Sequence, residues 1–123
     1  MSYDPTLNLL PEQWLAVNEA ERIVLVEKYH RKNKDFAENP KLHAIVHVVV
    51  ENQLASPDGE VARSTLKRLM SENVSRHAAI HAIGSVVATQ MFAILKDTEN
   101  RKVFDNAAYE LALKNLEAWQ WRA

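Results

Sequence analysis

The chain contains no cysteine, which excludes disulfide bonds, a thiolate nucleophile and cysteine-based zinc sites, so any metal would have to be held by imidazole and carboxylate groups. Glycine is almost as scarce. With only Gly59 and Gly84 in 123 residues, there is no GxGxxG, P-loop or GxSxG, and loops that cradle phosphates through backbone amides are excluded. Prolines number four, and no stretch alternates apolar and polar residues as a half-buried strand would. Neither sign of charge prevails. Fifteen basic residues face sixteen acidic ones, a net charge of −1, so neither nucleic acid nor an anionic membrane is expected as a partner. The opening MSYDPTLNLL lacks the basic start and apolar run of a secretory signal, and a cytoplasmic location is expected from it.

What the chain has in abundance is helix-forming residues. Hydrophobic residues make up 47 % of it, and Ala, Leu, Glu, Lys, Arg and Gln dominate, the composition of an all-α protein of one domain. Punctuation divides it into a single-domain bundle of about five helices, expected at 11–31, 40–55, 58–71, 75–96 and 101–120. Pro11 opens the first, for which Val17, Ala20, Ile23 and Val24 form the expected inner face. Asn39 and Pro40 open the second, Ser56 and Pro57 the third, and Asn73 or Ser75 the fourth. The fifth carries Ala108, Ala112, Leu116 and Trp119 on one side. Ala78 to Leu95 runs for 18 residues without a formal charge, near the length that spans a bilayer. His81, Ser85, Thr89 and Gln90 within it argue for a long central core helix.

Two stretches carry the functional signal. KLHAIVH and RHAAIHA each hold an HxxxH pair, His43 with His47 and His77 with His81. Residues four apart share one face of a helix, so each pair points both imidazoles the same way. The first face continues to Glu51, making a His43, His47, Glu51 stripe; the second continues to Gly84, Ser85 and Ala88, small residues that admit a neighbouring helix. If the two faces meet, four imidazoles could surround zinc, or with Glu51 as a fifth or supporting ligand could hold iron, manganese or copper. The spacing is not HExxH, since Ala44 and Ala78 stand where a metalloprotease carries its glutamate. Nor is it the ExxH of di-iron bundles, for Pro40, Ala44, Val74 and Ala78 precede the four histidines by three. The competing reading is a buried network in which the imidazoles bond to one another, to Ser85 or to Glu51.

The other candidates are weaker. His30, among Lys28, Arg31, Lys32 and Lys34, reads as a cation at a helix end. Trp14, Trp119 and Trp121 read as packing or interface aromatics, and the two near the C-terminus suggest a homodimer contact.

NPKLHAIVHVVVENQLA (39–55) with RHAAIHAIGSVVATQMFAIL (76–95) resembles a family of small bacterial helical proteins of unknown function, in which Asn and Pro lead into one HxxxH, Gln and Leu follow, and a second HxxxH opens a long apolar helix. The resemblance rests on Asn39, Pro40, His43, His47, Gln53, Leu54, His77 and His81, and it implies a helical fold with paired histidines but no activity. Asn52 stands where that pattern has an acidic residue, and the long helix lacks a second one, so no carboxylate ligand is carried over. Two classes of function follow: a metal-binding protein built on His43, His47, His77, His81 and Glu51, with zinc or another transition metal as cofactor, or a non-catalytic dimerisation module whose histidines satisfy one another. The sequence assigns no reaction.

Overall fold

A computed structural model describes residues 1–34 and 38–122. Among them are six α-helices and one short 3₁₀ turn: α1 Pro11–Ala16, α2 Glu19–Lys32, α3 Pro40–Ala55, α4 Glu60–Ser71, α5 Arg76–Lys96, α6 Asn106–Lys114 and the turn Ala118–Gln120. The described residues contain no strand, and the all-α bundle expected from composition is what forms.

Side-chain caps decide most of the helix starts. Asn18, Asn39, Ser75 and Asp105 each accept a hydrogen bond from the backbone N–H three residues on, satisfying a donor that the helix itself leaves open. The cap at Asn18 overturns the single helix expected over 11–31. Val17 is extended (φ −80°, ψ 137°), the chain turns, and Asn18 with Glu21 three residues later restarts it. Arg22 covers the broken end, donating to the carbonyls of Val17 and Leu15. Because α2 starts afresh, its inner face is Ile23, Val26 and His30, whereas Ala20 and Val24 lie exposed.

Two further boundaries move. Ser56 ends α3 instead of starting α4, which begins at Glu60 after Gly59. Only glycine fits there, because a Cβ on residue 59 would lie 1.7 Å from the Gln53 carbonyl oxygen. The helix expected over 101–120 shrinks to 106–114: the Asp97 carboxylate accepts from the backbone of Glu99, Arg101 and Lys102, which holds that stretch as a turn. Tyr109 and Leu113 are its buried residues, while Ala108 and Trp119 are exposed.

The helix α5 lies against α3, α4 and α6. It is long and apolar enough to cross a membrane by length and composition, but its buried residues run only from Arg76 to Val87, and Phe92 and Leu95 are exposed. Against α3 it packs closely at Gly84, where a Cβ would stand 2.8 Å from Val46 Cγ1. One core cluster joins Val50 of α3 to Ile80, Ile83 and Val87 of α5 and to Tyr109 and Leu113 of α6. Another gathers Tyr3, Trp14, Val26, Ala44 and Val48, with Trp14 fully buried and its Nε1 donating to Asn52 Oδ1 at 2.9 Å. α3 thus serves both clusters, and the histidines project from it and from its neighbours α2 and α5.

Truncating Ile83, which is 0 % exposed, to alanine is expected to cost about 2–5 kcal/mol of unfolding free energy, whereas Leu95→Ala, at 72 % exposed, stays within about 0.5 kcal/mol. Urea denaturation of both variants checks this, and equal losses would mean that the C-terminal turns of α5 are covered.

Candidate metal centre

The faces of α3 and α5 that carry the paired histidines meet. The Nε2 atoms of His47 and His81 are 3.0 Å apart, and ring centroids are 5.0 Å apart for His43 and His81 and 5.3 Å for His47 and His77. The structure also adds a residue that spacing alone gave to a helix end. His30, on the inner face of α2, is 6 % exposed and turns into the group, with its Nε2 3.1 Å from His43 Nε2 and its ring 4.7 Å from that of His47. All five histidines of the chain therefore converge. Within this group, His30, His47, His77 and His81 each offer a nitrogen within 4.8 Å of those of the other three; His43 stands beside them.

Hydrogen-bond partners fix which nitrogen carries the proton in two of the rings. His30 Nδ1 lies 2.8 Å from the Val26 carbonyl oxygen, which can only accept, so Nδ1 is protonated and the Nε2 of the neutral ring presents its lone pair. His47 Nδ1 lies 3.1 Å from the Tyr3 hydroxyl, whose own proton goes to Glu51 Oε2 at 2.7 Å. Tyr3 keeps that proton, because burial, and then the Glu51 charge and hydrogen bond, push its ionisation well above the ordinary range. The phenol oxygen must accept from His47 Nδ1–H, which leaves His47 Nε2 as a lone pair aimed at His81.

Glu51 is held from behind. Arg76 donates from Nη2 to Oε1 at 2.9 Å and from Nη1 to Oε2 at 3.0 Å, and donates further to the Pro5 carbonyl and Asn8 Oδ1. Burial opposes the Arg76 charge, but Glu51 outweighs it and holds the guanidinium above its ordinary value. Glu51 therefore continues the face of His43 and His47 as its position implied, and spends its oxygens on Arg76 and Tyr3. It reaches the imidazoles through Tyr3. Ser85, the other partner considered for the histidines, donates to the Ala82 carbonyl at 2.7 Å.

The His47 imidazole favours neutrality. Burial, reinforced by His81, His43, His30 and His77 around it, drives the His47 pKa far below its ordinary 6.5.

Tyr3, His30 and Arg76 escaped sequence reasoning. Tyr3 lies outside any helix, so no periodicity marks it. The available signal for Arg76 was its position: a cation in the first turn of a helix opposes the dipole and calls for a buried acid nearby.

Residues 6–115 match the model of a family described as a domain of unknown function, DUF1841. No curated protein and no solved structure matches the chain.

Two outcomes test this arrangement. Arg76→Met leaves the buried Glu51 carboxylate without its partner and is expected to destabilise the fold by about 3–5 kcal/mol in denaturant unfolding. In metal-free protein the folded His47 refuses a proton that the unfolded chain takes up below pH 6.5. Stability should therefore be level above about pH 7 and fall by about 1.4 kcal/mol per pH unit below 6.5 for this group. A flat profile between pH 6.5 and 5 would mean that the folded ring charges as readily as the unfolded one.

Proposed function

This chain belongs to the DUF1841 family, and for it we propose transition-metal binding through the imidazoles of His30, His47, His77 and His81. The observation that carries the reading is the tautomer of His30 and His47. Each spends its Nδ1 proton outward, on a backbone carbonyl or on the Tyr3–Glu51–Arg76 relay, and turns an Nε2 lone pair inward. Ligating histidines are oriented in this way, with the second nitrogen donating to a carbonyl or towards a carboxylate. Two nitrogens bound tetrahedrally to one zinc sit about 3.3 Å apart, close to the 3.0 Å between His47 and His81. The all-nitrogen donor set suits zinc, copper, nickel or iron(II).

A second reading is favoured by the same short contacts. His81 Nε2–H donating to His47, and His43 Nε2–H donating to His30, would satisfy both pairs without an ion.

Protein made without a histidine tag and titrated with Zn²⁺ separates the two. We expect one ion per chain, lost when His47 and His81 are both replaced by alanine and greatly weakened by His30→Ala. Tyr3→Phe removes the acceptor of His47 Nδ1–H and should lower zinc affinity about 10–100-fold. Absence of stoichiometric binding, with an unaltered fold, would leave the hydrogen-bonded network as the role of the cluster.

A further inference from the structure

We infer, building on the metal-binding reading, that the cleft beside the imidazoles is the ligand site of that centre and takes a small monocarboxylate with an apolar body. The cleft has a volume of about 300 Å³ and runs between α3 and α5. That is the lower end of the range for small-molecule sites. One wall is formed by His43, His47 and His81; the rest is mostly aliphatic, with Leu42, Val46, Ile80 and Ala88. Two of the proposed ligands, His47 and His81, therefore face both the ion position and the cleft.

The chemistry of the occupant follows from charge. Four neutral imidazoles leave a divalent ion with its full charge uncompensated. Of the nearby carboxylates, Glu51 is committed to Arg76 and Tyr3, and Asp4, within electrostatic reach of His77, accepts from Thr6. The positive end of the α5 dipole adds to the same field. An anion is therefore drawn to the ion from outside, as a fifth ligand beyond the four imidazoles. Among the described residues nothing else in the cleft would hold a charge: no Lys, Arg, Asp or Glu of theirs lines it, and its polar additions are Asn39 and Ser85. A second charged group on the ligand would lose its water without gaining a partner. The occupant consequently has one anionic head at the ion and an uncharged, largely hydrocarbon body against Leu42, Val46, Ile80 and Ala88.

Cobalt-loaded protein tests this, because Co²⁺ reports its coordination in the visible spectrum where zinc is silent. Acetate, butanoate and hexanoate are titrated in turn. The expected result is a saturable spectral change whose apparent affinity rises about three- to fourfold per added methylene, the gain from burying one CH₂. Ala88→Phe, which fills the cleft, should still bind one Co²⁺ but hold hexanoate no more tightly than acetate; Ala88→Leu, a smaller filling of the same place, should reduce the chain-length effect if the phenyl ring disturbs folding. Cobalt binding with no response to any carboxylate, or with a response independent of chain length, would overturn the ligand assignment while leaving the metal reading intact. Failure to bind cobalt at all, with carboxylate absent, would overturn the metal reading and this inference with it.

Discussion

The ion pair between Glu51 and Arg76 is the constraint from which the site is built. Removing both charges from water is costly, and the pair persists because it is densely hydrogen-bonded: two parallel contacts to each other, and further bonds to Pro5, Asn8 and Tyr3. The arrangement ties the segment before α1 to α3 and α5. It also settles the chemistry of its neighbours, since a neutralised Glu51 exerts little pull on the imidazoles while its Oε2 directs the Tyr3 proton away from His47. One buried charge pair thus selects a tautomer two hydrogen bonds away.

That selection explains why five histidines can share a small volume. Charged, they would repel; neutral, each is a donor and an acceptor, and the protein supplies external acceptors for the Nδ1 protons of His30 and His47. Close approach of α3 and α5 at Gly84 and Val46 brings the rings within reach of one another. On the cleft side the same two helices present aliphatic side chains, so the cluster has an apolar face towards Ile80 and Val46 and a hydrogen-bonded face towards Tyr3.

How much of this could be read beforehand depends on whether the signal was local. The paired histidines were legible because a spacing of four is a property of one helix, and their convergence followed from Gly84 and the small residues near it. The starts of α3 and α5 were legible through Asn39, Pro40 and Ser75. His30 was hidden because Lys28, Arg31, Lys32 and Lys34 around it marked a helix-end cation, although it lies seven residues after Ile23 on the face that α2 buries with Val26. The last helix misled for a related reason, since Asp97 and Asp105 divert the backbone with side-chain hydrogen bonds that apolar spacing does not register. Tyr3 and Arg76 take their roles from contacts across the chain, to Glu51 and Pro5, which no window of neighbouring residues contains.

The span of those contacts bears on how the molecule assembles. Tyr3 meets Glu51 across 48 positions and Arg76 meets Pro5 across 71, so the polar relay is complete only when distant parts of the polypeptide have come together. Each HxxxH pair, by contrast, exists as soon as a turn or two of its own helix has formed. During biosynthesis a nascent chain would therefore hold two locally formed histidine pairs before the relay that orients His47 exists.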